Sequence, residues 1–242
     1  MRHYGLIGYP LGHSFSEQYF TEKFAKEHVS ANYKLFELSD VVKFRNLLSN
    51  NDLSGLNVTI PYKETIMDYL DELDETARLV GAVNTIKFCP NGHLKGYNTD
   101  VIGFEQTLRP ILKSYHQKAL VLGTGGASKA VAFVLRQLNI DFKFVSRTKT
   151  IDCLAYSDLS QTIMSEYLLI VNTTPLGMFP NIHTKPPIPY QWLSDQYLLY
   201  DLVYNPLKTE FLQAGEEYGA TVQNGLPMLR AQAEASYLIW TE

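Results

Sequence analysis

Three stretches of this 242-residue chain carry residue types and spacings that could do chemistry. The first is NVTIPYKE, residues 57–64, where Lys63 follows Pro61 and opens the helical apolar spacing of YKETIMDYLDEL. Proline suits the first helical position, so this pattern predicts a helix with Lys63 in its first turn. Unpaired N–H groups at a helix start disfavour an ammonium by roughly 0.3–1 kcal/mol, and chains usually place Asp or Glu there. A lysine so placed either points into water or is set for proton transfer. The second stretch is VLGTGGASKA, where Gly123, Gly125 and Gly126 follow a strand pattern and precede a helical one. Glycine lets the backbone turn tightly and approach a pyrophosphate, which the free N–H groups of the helix start can hold. Ser128 stands where the third glycine of G-x-G-x-x-G would be. The third stretch, FVSRTKT, ends the next strand pattern. A unit built for NAD offers Asp or Glu there to the ribose hydroxyls; Ser146, Arg147, Thr148 and Lys149 suit a 2′-phosphate instead.

Further polar clusters, GHSFS, GAVNT and GYNTD, fall where strand patterns end. In an α/β sheet the carboxyl ends of the strands face the ligand crevice, so Ser14, Ser16, Asn57, Thr59, Lys63, Asn84 and Asp100 are expected to converge. Ser hydroxyls can donate to a carboxylate, while Asn and Asp can accept from ligand hydroxyls. The ligand class that follows is small, hydroxyl-rich and anionic.

The elements that must position these residues alternate almost from the start. YGLIGY, NYKLFEL and GLNVTI read as strands, with helices through SEQYFTEKFAKEH and near DVVKFRNLLSN, the rhythm of βαβ units with a parallel sheet. GAVNTIKF leads into the hairpin-like CPNGHLKGYN and a long helical stretch, DVIGFEQTLRPILKSY. A second series then begins: KALVLGTGG, DFKFVS, YLLIVNTT, YLLYDLVY and ATVQN as strands, with a helix at ASKAVAFVLRQL. MFPNIHTKPPIPY reads as a long surface loop. The fold class expected is α/β: an N-terminal α/β substrate domain, residues 1–100, and a Rossmann-type, doubly wound nucleotide-binding domain, residues 101–225. The amphipathic helix at residues 226–242 is expected to pack back on the first block.

Composition narrows the partners. A net charge of −4 without a basic stripe gives no electrostatic reason for nucleic acid or acidic membranes, and no run of about 18 apolar residues exists to span a bilayer. Gly and Pro interrupt the short apolar run near the amino terminus before a secretory core can form. Cys89 and Cys153 belong to no CxxC or Cys/His spacing, so neither disulfide nor zinc is suggested. His3, His13, His28, His93, His116 and His183 are scattered without metal spacing and are expected to be structural or on the surface. A soluble cytoplasmic protein with two buried thiols, without a metal and acting on a small molecule is the expectation.

GYPLGHSFS, NVTIPYK, GAVNT, GYNTD, GTGGAS, SRT, VNTTPLGM, DLVYNPLKTEFL and GLPMLRAQAEAS follow, in order and over essentially the whole chain, the pattern of another group of sequences. The chain resembles the shikimate dehydrogenases. Each motif alone is modest; nine in sequence are specific. The resemblance implies reversible NADPH-dependent reduction of 3-dehydroshikimate to shikimate, on the route through chorismate to aromatic amino acids. It implies a catalytic pair, Lys63 and Asp100, and a substrate carboxylate held by Ser14, Ser16 and Tyr204. Thr59, Asn84, Asp100 and Gln232 would bind the ring hydroxyls. Gly123, Thr124, Gly125, Gly126 and Ala127 would hold the pyrophosphate of NADP, Ser146, Arg147, Thr148 and Lys149 its adenosine phosphate, with Leu202 and Gly225 near the nicotinamide and Glu75 an acidic neighbour. A homodimer is compatible with the same likeness. The sequence departs from the pattern at Ser146 for a usual Asn, Val101 for a usual Gly and Pro227 for a usual Gly, and so few residues follow SRTKT that the next helix is expected to be shortened or absent. The alternatives are a quinate/shikimate dehydrogenase using NAD, or a non-catalytic small-molecule-binding relative.

Overall fold

The computed structural model describes residues 1–12 and 14–242, and His13 lies outside them. The chain divides into two compact units, Met1–Thr99 with Ala233–Glu242, and Asp100–Gln232.

The first unit is built on β1 (Arg2–Gly8), α1 (Phe15–Lys26), β2 (Ala31–Glu37), α2 (Phe44–Asn50), β3 (Gly55–Val58), β4 (Glu72–Leu73), α3 (Glu75–Val80), β5 (Thr85–Phe88) and β6 (Leu94–Tyr97). Its sheet runs β2-β1-β3-β5-β6-β4. The sheet is mixed rather than parallel: β1 is parallel to β2 and β3, and β4 to β6, but β5 is antiparallel to both neighbours. The cause is local. The N–H of Gly92, at φ 81°, donates to Cys89 O at 2.9 Å, and this tight turn leaves no room for a crossover helix between β5 and β6.

The helix expected from Lys63 onward does not form. The Lys63 carbonyl accepts from Val83 N–H at 2.7 Å and Met67 N–H turns to Glu64 O at 3.2 Å, so the segment tightens into a 3₁₀ turn over Thr65–Tyr69. Lys63 therefore sits in a turn two residues ahead of it.

The second unit opens with α4 (Thr99–Leu108), whose first residue belongs to the other unit, and continues with β7 (Lys118–Leu122), α5 (Gly126–Gln137), β8 (Asp141–Ser146), β9 (Cys153–Ala155), α6 (Gln161–Glu166), β10 (Leu169–Asn172), β11 (Leu198–Asp201), α7 (Glu210–Glu217) and β12 (Thr221–Gln223). The sheet is parallel throughout, in the order β9-β8-β7-β10-β11-β12. Numbered within the unit this is 3-2-1-4-5-6, the Rossmann order, with its switch point between β7 and β10. β7, β10 and β11 are apolar and buried along almost their whole length, as strands covered on both faces must be. No helix joins β8 to β9, as the shortened sequence anticipates. Parallel neighbours ordinarily need a dozen or more connecting residues. Here β9 starts opposite Phe144, so residues 147–152 retrace only the end of β8.

The last helix, α8 (Leu226–Thr241), starts in the second unit and ends in the first. In the first, Trp240 stacks on Tyr4 with ring centroids 4.8 Å apart and donates to Ile86 O at 3.0 Å, within a cluster that includes Phe20, Phe24 and Tyr33. His116 is a satisfied core histidine, its ring nitrogens meeting Lys113 N and Gln196 O at 3.0 Å each, and burial lowers its pKa. Both cysteines are free; Cys153 is buried, but Cys89 is only half-buried, contrary to expectation. Among the described residues no helix is long and apolar enough to cross a membrane, and no group of three or more His, Cys, Asp or Glu side chains is placed to hold a metal ion.

Candidate active site

In the first unit three segments are hydrogen-bonded side by side at one edge of the sheet. Thr59 N–H donates to Ile7 O at 2.9 Å and Tyr9 N–H to Ile60 O at 3.0 Å, joining the ends of β1 and β3. Val58 N–H donates to Asn84 O at 2.9 Å, and the Val83–Lys63 bond closes the set. Gly8 permits the approach: a Cβ there would lie 2.5 Å from the Thr59 methyl. Thr59, Lys63 and Asn84 are thereby brought to one edge. Ser14 and Ser16 come with the start of α1, where Ser14 Oγ caps the helix by accepting from Ser16 N–H at 3.2 Å.

Asn84 is buried, and its side-chain oxygen accepts from the N–H of Thr99 at 2.7 Å and from its hydroxyl at 3.1 Å. The acceptor that residue type offers is thus engaged within the first unit. Asn57, expected to converge with the other candidates, has both side-chain polar atoms engaged internally. Its oxygen accepts from Tyr33 Oη at 2.8 Å and its nitrogen donates to Asn84 O and to the hydroxyls of Thr85 and Ser236, at 3.2, 3.2 and 3.0 Å. Glu75 is the first residue of α3, exposed behind the capping Asp74, where an acid suits the helix dipole.

In the second unit the nucleotide candidates gather at the carboxyl ends of the parallel strands. Gly123 ends β7 at φ 105°, a conformation glycine adopts freely, and a Cβ there would meet Thr173 Oγ1 at 2.7 Å. Gly125 differs: its φ is −82° and a Cβ there would meet nothing within 4 Å, so the position lies open beside the N-terminus of α5. Such a cradle of exposed backbone, with Thr124, Gly126 and Ala127 around it, fits a pyrophosphate. Ser128, in place of the third glycine, is buried and donates its hydroxyl to Gly125 O at 2.6 Å, holding the turn against the helix.

Ser146 Oγ donates to Thr148 O at 2.7 Å and accepts from Thr148 N–H at 3.3 Å, a tight loop that leaves Arg147 exposed. Lys149 reaches Asp158 at 3.2 Å. The Asp158 carboxyl is held below its usual range, first by the Ala155 N–H and then by Lys149. Leu202 and Gly225 are in direct backbone contact, since a Cβ at 225 would lie 2.1 Å from Leu202 O. Asp100 is buried in the first turn of α4. Gly103, one turn on, lets α4 approach α8: a Cβ there would stand 3.1 Å from Gln232, whose Nε2 donates to Leu229 O at 2.8 Å. Tyr204 is half-buried, and burial raises its pKa.

The residue-type reading missed Asp201, at the end of β11. It is fully buried, accepts from Val203 N–H at 3.0 Å, Asn172 Nδ2 at 2.9 Å and Thr209 Oγ1 at 2.6 Å, and so fixes the segment that carries Leu202 and Tyr204. Burial pushes its carboxyl up to about 6 against these three bonds. An acid inside the otherwise apolar YLLYDLVY was the signal available.

Residues 6–86 match the family of shikimate dehydrogenase substrate binding domains. A curated shikimate dehydrogenase (NADP(+)) of Methanococcus vannielii is 37% identical over 261 residues, covering 98% of this chain and 90% of its own. The chain belongs to the shikimate dehydrogenase family. Among solved structures, a shikimate dehydrogenase in complex with NADP+ is 34% identical, with a TM-score of 0.87 over 99% of this chain and 90% of its own. The shikimate 5-dehydrogenase of Thermus thermophilus, solved with NADP(H) and shikimate, is 30% identical, with a TM-score of 0.87 over 100% and 94%. The shikimate dehydrogenase substrate-binding match spans Ser14 and Ser16 as well as Thr59, Lys63 and Asn84, the three that the first unit gathers at one edge.

Proposed function

We propose that this chain is an NADP-dependent shikimate dehydrogenase that interconverts 3-dehydroshikimate and shikimate, with substrate contacts chiefly from the first unit and nucleotide contacts chiefly from the second. The observation that carries it is the stitching of Thr59, Lys63 and Asn84 onto three hydrogen-bonded segments at one sheet edge, inside the matched substrate-binding region that also holds Ser14 and Ser16. Serine hydroxyls at a helix start suit a carboxylate, with Tyr204 as a further donor. Thr59, the Asn84 amide, Asp100 and Gln232 would take the ring hydroxyls. NADP would be held by the Gly123–Ala127 turn and the Ser146–Lys149 loop, with Leu202 and Gly225 at the nicotinamide and Glu75 as an acidic neighbour, and when bound it supplies or takes the hydride. A carbonyl oxygen that gains a hydride must also gain a proton. Lys63 delivers that proton in reduction and accepts it from the hydroxyl in oxidation, while Asp100 balances the lysine charge and accepts from a ring hydroxyl. The enzyme would work in the cytoplasm, in keeping with two free thiols.

The test is a rate comparison on purified protein with shikimate and quinate, each with NADP and NAD. Shikimate with NADP is the expected preferred pair. Preference for quinate with NAD would replace this assignment with the quinate/shikimate type, and no turnover of either substrate would refute both.

A further inference from the structure

The carboxamide of Asn84 is oriented by a network of buried groups whose hydrogen-bond direction is fixed at both ends. Asn57 Nδ2 faces the Asn84 backbone carbonyl, which can only accept, so Asn57 Oδ1 must be the atom facing Tyr33, and the Tyr33 hydroxyl must donate to it. At the other end the Thr99 N–H can only donate, so the atom it meets is Asn84 Oδ1. Between these ends lie three hydroxyls, those of Ser236, Thr85 and Thr99. Asn57 Nδ2 donates to Ser236 Oγ at 3.0 Å, Ser236 Oγ lies 2.7 Å from Thr85 Oγ1, and Thr85 Oγ1 donates to Asn84 Oδ1 at 3.2 Å. Thr99 Oγ1, 3.1 Å from Ser236 Oγ, also donates to Asn84 Oδ1 at 3.1 Å, so the Ser236 hydroxyl can donate onward to either threonine. Tyr33, Asn57, Ser236, Thr85, Thr99 and Asn84 therefore form one connected network that ends on Asn84 Oδ1, and each is at most 6% exposed. None of these groups except Asn84 is among the proposed substrate contacts.

We propose that Ser236 and Thr85 are positioning residues for substrate recognition: they hold Asn84 Oδ1 inward, so that the amide meets a ring hydroxyl of the substrate only as a donor. The proposal rests on the assignment of Asn84 to the substrate site. It also gives α8 a part in recognition, because Ser236 is delivered by that helix.

Ser236→Ala and Thr85→Val each delete one hydroxyl with little change of shape, and Thr85→Ser keeps the hydroxyl while losing a methyl. Steady-state kinetics on the full chain with shikimate and NADP should show KM for shikimate raised roughly three- to tenfold in the first two, the loss of one hydrogen bond's ordering. In both, kcat should change less than KM and KM for NADP should stay put, since nucleotide binding belongs chiefly to the other unit. Thr85→Ser should behave as the unaltered protein. Should Thr85→Val fail to fold, Ser236→Ala, smaller by one oxygen, decides alone. Folded Ser236→Ala with an unchanged shikimate KM would overturn the proposal even if its melting temperature fell, because a merely structural hydroxyl moves stability and not KM. Failure of Thr85→Ser to rescue would overturn it too. Absence of shikimate turnover in the unaltered chain would instead strike the functional assignment on which it rests.

Discussion

Lys63 owes its place to its own carbonyl, which the Val83 N–H ties to the strand-end cluster at 2.7 Å. Lys63→Ala should lower kcat by about 10²–10⁴, the usual range for a general acid or base, with KM for NADP nearly unchanged. Asp100→Asn should also lower kcat, and if the two handle one proton together the double variant should be little worse than the poorer single one. A near-normal kcat for folded Lys63→Ala would mean a solvated lysine. At Gly225 the constraint is steric: a Cβ would stand 2.1 Å from Leu202 O, so Gly225→Ala must displace backbone. The expected cost is about 1–3 kcal/mol in stability, read from urea midpoints, together with a raised KM for NADP. Residue type was legible in advance where the backbone demands one, as at Gly123 of the turn. What a side chain does was not legible where partners decide. Asn57 and Asn84 are the same residue at neighbouring strand ends, yet the side-chain oxygen of Asn57 is taken by Tyr33 and that of Asn84 by Thr99, a difference set from elsewhere in the chain.

Among the elements, the direct step from β8 to β9 bears on the proposed cofactor site. On that proposal a 2′-phosphate is met by a six-residue connection, residues 147–152, in which Lys149 is already paired with Asp158 while Arg147 stands exposed. A charged hydrogen bond is worth roughly 1.5–3 kcal/mol, about ten- to a hundredfold. Arg147→Ala should therefore lower kcat/KM with NADP by that factor and leave NAD nearly unaffected, while Lys149→Ala should have the smaller effect. Equal losses with both nucleotides would show that Arg147 does not meet the phosphate. The loss of this helix could be read from chain length between two strand patterns. The 3₁₀ turn after Lys63 could not, because apolar spacing does not reveal that Val83 takes the carbonyl a helix would have used. The antiparallel β5 was half-visible: the hairpin turn was plain, its effect on the sheet was not.

For the molecule as a whole, Asp201 ties stability to pH. Its folded carboxyl is raised to about 6 from an ordinary 3.8, so between those values the folded protein binds more protons than the unfolded chain. The stability this contributes is fully present below about pH 4 and is lost as pH rises through 6, an effect of about 3 kcal/mol. Asp201→Asn should remove it, so the difference in urea midpoint between variant and unaltered protein should shift in the variant's favour from pH 4 to pH 7. A constant difference would mean that Asp201 titrates normally. The two-block organisation was visible in the alternation of strand and helix patterns, whereas the point within α8 at which the chain leaves one unit for the other was not, since a continuous helix carries no mark of it. That shared helix bears on how the protein comes off the ribosome. The second unit is one unbroken segment, but the first lacks Trp240, Ala233 and Ser236 until residues 233–242 have been made. At roughly 5–20 residues per second, the interval between residue 99 and residue 242 is roughly 7–30 s. For that time Tyr4, Phe20 and Phe24 wait without the indole that completes their cluster. The nascent chain should therefore gain protease resistance in its middle before its beginning, and arrested chains ending at residue 232 should engage chaperones through their first hundred residues.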